Sequence, residues 1–91
     1  MQAQQAREQI ERHRAEIDEL DAQILTLLNE RSEKSLAIRA LKPAAGSRLF
    51  DAAREERILA RLDGLNEGPM ANADVRKIYA TLLEVMKEVK A

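Results

Sequence analysis

Three cations share one helical seam in this chain, and the chemistry they suit is the clamping of a small anion. Stepping by three and four residues from Ile10 gives Arg14, Ile17, Asp21, Ile24, Leu28, Arg31, Ser35, Ile38 and Lys42. That spacing follows one face of an α-helix, the face that ordinarily packs inward. Arg14 and Arg31 are 17 residues apart, about 25 Å along a helix axis, so no small ligand touches both from one helix. Arg31 and Lys42 are 11 residues apart. They return to within about 20° of the same azimuth, roughly 16 Å apart along the axis, so two long side chains can converge on one anion. Burying such cations alone costs on the order of several kcal/mol each, and a dicarboxylate ligand offsets that cost. The competing reading is structural: cationic heads snorkel into water over packed stems, and Asp21 pairs with an arginine as a buried bridge.

A second charged cluster follows in FDAAREER, residues 50–57. Arg54 lies one turn before Ile58 and Glu55 one turn before Leu59, so both lean toward a buried face. Glu55 suits a carboxylate that accepts from a ligand hydroxyl, oriented by the neighbouring arginine. The alternative is a charge-rich first helical turn, with Glu55 favoured by the helix dipole. Other chemistries lack their residues. There is no Cys, hence no thiolate nucleophile or thiolate metal site. His13, the one histidine, has no second ligand at metal spacing and reads as a surface residue, so no metal and no cofactor are expected.

The elements that must position these groups are marked by chain breakers. Every Gly and Pro falls in PAAGS (43–47) or DGLNEGP (63–69), which divides the chain into three segments. The first, roughly 4–42, is rich in the helix formers Ala, Leu, Glu, Gln and Arg. The second, roughly 52–63, has Ile58, Leu59 and Leu62 at helical spacing, Leu65 one step beyond, and Asp51 as its expected N-cap. The third runs from about 73 to the end, capped by Asn72, with an apolar stripe of Val75, Ile78, Leu82, Val85 and Val89. No strand signal or internal repeat interrupts this pattern. The expectation is an all-α domain, residues 1–91, of three helices, one of them very long.

Length then bears on assembly. A first helix of about 39 residues spans roughly 58 Å, whereas a compact chain of 91 residues has a radius of gyration near ~12 Å. Ile10, Ile17 and Ile24 on the projecting part need cover, and a second copy is the simplest source. An intertwined homodimer of long helices is therefore expected. In an antiparallel pair, Arg14 of one protomer reaches the pocket organised by Arg31 and Lys42 of the other, giving two equivalent sites. The formal net charge of −1 with both signs interleaved, and only Phe50 and Tyr79 as aromatics, argue against a nucleic-acid partner. No apolar run approaches the ~20 residues that span a membrane. The polar start MQAQQAREQIERHR lacks the apolar core of a signal peptide. A cytoplasmic location is expected.

The ordered set of Arg14, IDELDAQILTLLNER ending in Arg31, Lys42, and D-x-x-R-E at 51–55 resembles the all-helical (AroQ-type) chorismate mutases over nearly the whole chain. LNEGP (65–69) further resembles the mutase modules associated with the synthase that opens the shikimate pathway. The resemblance implies conversion of chorismate to prephenate by an intramolecular Claisen rearrangement on the route to phenylalanine and tyrosine. That reaction needs no nucleophile, metal or cofactor. It needs a compact substrate conformer and stabilisation of charge developing on the ether oxygen. The resemblance also assigns roles. Arg14 from the partner protomer and Arg31 would clamp the two carboxylates, and Lys42 would donate to the ether oxygen. Glu55 would accept from the ring hydroxyl, with Asp51 and Arg54 shaping that end.

Two positions depart from the family pattern. Counting from Tyr79, the usual Ser is Met86, and the usual Gln or Glu, the second donor to the ether oxygen, is Lys90. A lysine can donate there, yet it stands next to the chain end, where helices fray. Three rival readings stay open. An isochorismate-pyruvate lyase would use the same cationic pocket. A regulatory module would bind chorismate or prephenate with weak activity and report to a partner or fused synthase. A plain helical dimerisation protein would make Arg14, Arg31 and Lys42 incidental.

Overall fold

A computed structural model of the chain describes residues 2–90. It contains three helices in the order α1 (Ala3–Ala45), α2 (Ala52–Leu65) and α3 (Asn72–Glu88), and no strand among the described residues. The fold is all-α. The chain divides into two compact units, Met1–Glu33 and Lys34–Ala91.

The amino-terminal unit is helical from Ala3 onward. Its Ile10, Ile17 and Ile24 stay 48%, 53% and 53% exposed. A lone helix cannot bury its own seam, and isolated helices draw most of their stability from packing of that face. Asp21 is exposed and makes no ion pair among the described residues, so the competing reading of a buried bridge from Asp21 to an arginine finds no support there.

In the carboxy-terminal unit α1 runs to Ala45, one turn beyond the expected end at 42, with Pro43 in its last turn. Gly46 then takes a left-handed φ of 67°. Gly46 N–H donates to the Pro43 carbonyl (3.2 Å) and Ser47 N–H to the Lys42 carbonyl (3.0 Å), the paired bonds of a Schellman C-cap. The glycine, not the proline, ends the helix. Asp51 caps α2 as expected, its Oδ1 accepting from Arg54 N–H at 3.0 Å.

Helices α2 and α3 form an antiparallel pair pinned at both ends. Arg76 binds Asp63 through contacts of 3.1, 3.0 and 2.7 Å, while Lys87 pairs with Glu55 at 3.2 Å. The first of these explains why α2 continues past 63 through Gly64: a helical Asp63 faces α3. Asn72 is not the cap of α3. Ala71 holds that position without a side-chain bond, and Asn72 Oδ1 accepts from Asn66 Nδ2 (2.7 Å). Asn66 also donates to the Met70 carbonyl (2.8 Å) and accepts from Gly68 N–H (3.0 Å), so one amide organises the connection.

The buried face of α3 is also rotated from its expected stripe. Leu83 and Met86 are buried, with Val75, Tyr79, Leu82 and Val89 half-buried beside them. Ile78 and Val85 are left 54% and 52% exposed. Only one side of α3 meets α2, and the other half of its broad apolar surface is uncovered. Ala91, the last residue of the third expected helix, lies outside the described residues.

Candidate functional site

The expected site residues fall in both units. In the amino-terminal unit Arg14 is exposed and donates from Nη1 to Glu11 Oε1 at 2.8 Å. This is an intrahelical surface pair, worth little in water. Arg31 is half-buried, and Ser32 beside it donates to the Leu28 carbonyl at 2.9 Å. His13 is solvent-exposed and lies 3.9 Å from Glu16.

The carboxy-terminal unit gathers the rest. Lys42 is half-buried, and its Nζ donates to the Leu49 carbonyl at 2.6 Å, tying the end of α1 to the segment that leads into α2. Lys42 also acts on Asp51. The Asp51 carboxyl is held below its ordinary range, first by the Arg54 backbone N–H, then by the positive charges of Arg57 and Lys42. Asp51 is thus a helix cap set in a cationic surrounding, and its bond to the α2 backbone fixes where that helix begins.

Glu55 is half-buried at the start of α2, but Arg54 does not orient it. Arg54 is exposed, and the bond it makes is the backbone one to Asp51. The orienting group is Lys87 on α3, whose Nζ lies 3.2 Å from Glu55 Oε1 and 2.8 Å from Glu84 Oε1. It also sits 5.6 Å from the centre of the Phe50 ring, within reach of a cation–π attraction. Glu84 first and Glu55 second push the Lys87 ammonium pKa up. Met86 is buried among the packing residues of α3. Lys90 is exposed and lies one residue past Val89, where the backbone has left the helix (φ −59°, ψ 137°).

Two residues that sequence reasoning did not single out are central here, Lys87 and Arg39. Arg39 on α1 donates to three carbonyls at the end of α3, those of Met86 (2.6 Å), Lys87 (3.1 Å) and Val89 (2.6 Å). Arg39 had one available signal, since it lies one turn before Lys42 on the cationic side of α1. Lys87 had none, because its partner Glu55 belongs to another helix.

Set beside known proteins, residues 13–91 match the family model described as chorismate mutase type II. The chain belongs to that family. Every expected site residue from Arg14 to Lys90 falls inside the match. Two solved structures of Thermus thermophilus chorismate mutase are similar. One has 31% identity and a TM-score of 0.86, covering 89% of this chain and 92% of that one. The other has 32% identity and a TM-score of 0.83, covering 86% and 98%. A bifunctional chorismate mutase/prephenate dehydratase of Neisseria gonorrhoeae is 39% identical over 79 residues, 87% of this chain. The chain spans only 20% of the length of that relative. Among the described residues no helix is long and apolar enough to cross a membrane.

Proposed function

We propose that this chain catalyses the rearrangement of chorismate to prephenate as a homodimeric mutase domain. The observation that carries the reading is the family match over residues 13–91, a range that holds Arg14, Arg31, Lys42, Asp51, Arg54 and Glu55. The uncovered Ile10, Ile17 and Ile24 support the dimer, because a second copy of the same long helix offers a matching apolar seam.

In this reading the protein binds the substrate dianion in its compact conformer and performs no proton transfer. Arg31 and Arg14 of the partner subunit hold the two carboxylates, where a planar guanidinium fork matches a carboxylate bidentately. Lys42 donates to the ether oxygen as the carbon–oxygen bond lengthens and negative charge grows there. Glu55 accepts from the ring hydroxyl, and Asp51 and Arg54 border that end. Met86 and Lys90 close the far side, Lys90 as the second donor to the ether oxygen.

A regulatory reading draws on one specific observation. Glu55 Oε1 is already engaged by Lys87, so a ligand hydroxyl would share that carboxylate with an ammonium. On this view the site binds chorismate or prephenate, turns over slowly and reports to a fused or associated synthase. Mixing purified protein with chorismate, following its ultraviolet absorbance and identifying products by chromatography tests both readings. Prephenate at enzymatic rates supports the mutase. Binding without turnover supports the regulatory module, and release of pyruvate in a parallel incubation with isochorismate would replace both with the lyase.

A further inference from the structure

We propose that Arg39 is a positioning residue for the reaction, one that sets Lys90 by gripping the end of α3. The proposal rests on the mutase reading above. Its physical basis is the bonding of a helix terminus. The last four carbonyls of an α-helix have no N–H ahead of them and need outside donors. In α3 the last backbone bond is Val89 N–H to the Val85 carbonyl, 3.2 Å. Beyond it, Arg39 supplies the donors: Nη2 to the carbonyls of Met86 and Lys87, and Nη1 to that of Val89.

The Val89 bond is the informative one. The Val89 carbonyl and the Lys90 nitrogen belong to one planar peptide unit. A guanidinium bonded at 2.6 Å to that oxygen fixes the plane from which Lys90 departs. The second nitrogen, at 2.6 Å from the Met86 carbonyl, holds the preceding turn in the same rigid fork. The positive charge also meets the negative end of the helix dipole. Lys90 is exposed and past the helix, in a segment that ordinarily frays. With Arg39 in place it has an ordered base anchored to α1, the helix that carries Lys42. Arg39 itself donates to backbone oxygens and acts on the reaction through another residue.

The test uses the full chain and four variants: Arg39→Met, Arg39→Lys, Lys90→Met and the double Arg39→Met, Lys90→Met. A misplacement of about 1 Å costs on the order of 100-fold in rate. Arg39→Met is expected to lower kcat by about 10- to 100-fold with a much smaller change in KM. Arg39→Lys keeps the charge but not the fork and recovers part of the loss. In the Lys90→Met background, Arg39→Met adds little, because the two act as one unit. Amide hydrogen exchange is read in parallel, where Arg39→Met speeds exchange at Val89 while the Arg76 end of α3 keeps its protection. Additive losses in the double variant, or unchanged exchange at Val89, would overturn the proposal. If the wild-type chain fails to convert chorismate, the mutase reading and the link to Lys90 both fall. Exchange at Val89 then still upholds or overturns the grip itself.

Discussion

Lys87 Nζ on α3 lies 3.2 Å from Glu55 Oε1 on α2, joining the expected hydroxyl acceptor of the site to the far helix of the hairpin. The pair is 28% and 32% exposed, so water screens it only in part. Lys87 also holds Glu84, and Glu55 shares its ammonium with a surface carboxylate. The consequence is a Glu55 side chain oriented from across the helix pair instead of by its sequence neighbour.

That relationship has a pH signature. The Lys87 pKa is raised in the folded chain, first by Glu84 and then by Glu55. Its stabilisation is therefore fully present below the ordinary lysine value of about 10.4 and is lost as pH rises through the higher folded value. Urea midpoints between neutral pH and the alkaline limit should fall in wild type. Lys87→Met should lower the neutral midpoint and flatten that alkaline decline. An unchanged decline in the variant would assign it to other groups.

Asp51 gives the opposite arm. Its carboxyl is held below the ordinary range, chiefly by the Arg54 N–H, so its contribution is present above about 3.9 and is lost as pH falls through the lower folded value. Asp63, lowered by its bond to Arg76, adds to the same acid limb. Asp51→Asn keeps an N-cap acceptor but not the charge, so it should stay folded at neutral pH with a shallower acid limb. Asp51→Ala should have a lower Tm at every pH. Thermal melts across the acid range read both.

On the proposed mutase reading, Lys42 acts directly on turnover. Removing one preorganised donor from a site of developing negative charge costs about 100- to 1,000-fold in kcat. Lys42→Ala should lose activity on that scale and keep the wild-type helical content and oligomeric state. Unchanged kcat in a folded Lys42→Ala dimer would remove this residue from the reaction.

The proposed sharing of the site between protomers makes a prediction that neither protomer alone can satisfy. Arg14→Ala and Lys42→Ala should each be nearly inactive as homodimers. Unfolded together and refolded, they form mixed dimers in which one site has both Lys42 and Arg14 of the partner subunit. About one quarter of the wild-type sites should return in an equal mixture of the two. No recovery, with mixed dimers verified by native mass spectrometry, would place Arg14 outside the partner's site.

Much of this molecule is local and could be read locally. Breakers confined to 43–47 and 63–69 delimit three helices, because glycine and proline penalties act at their own positions. Asp51 reads as a cap because its acceptor reaches a donor three residues away. The order of Arg14, Arg31, Lys42, Asp51, Arg54 and Glu55 suffices for the family, since spacing along a helix converts directly into a face. Where two local preferences competed, a pattern was not enough. The Ala71 cap of α3 and the passage of α1 through Pro43 were decided by Asn66 and Gly46, whose bonds cross the turns.

The tertiary structure decided which charges meet. Arg39 and the carbonyls it holds are separated by 47 to 50 residues, and Lys87 and Glu55 belong to different helices. Any of several cations in this chain could satisfy either role by type alone. Which face of α3 is buried was likewise set by its packing on α2, leaving Ile78 and Val85 exposed. Helix identity is written in short-range propensity. The pairing of long, flexible charged side chains depends on where packing brings the helix ends, and that is a property of the whole fold.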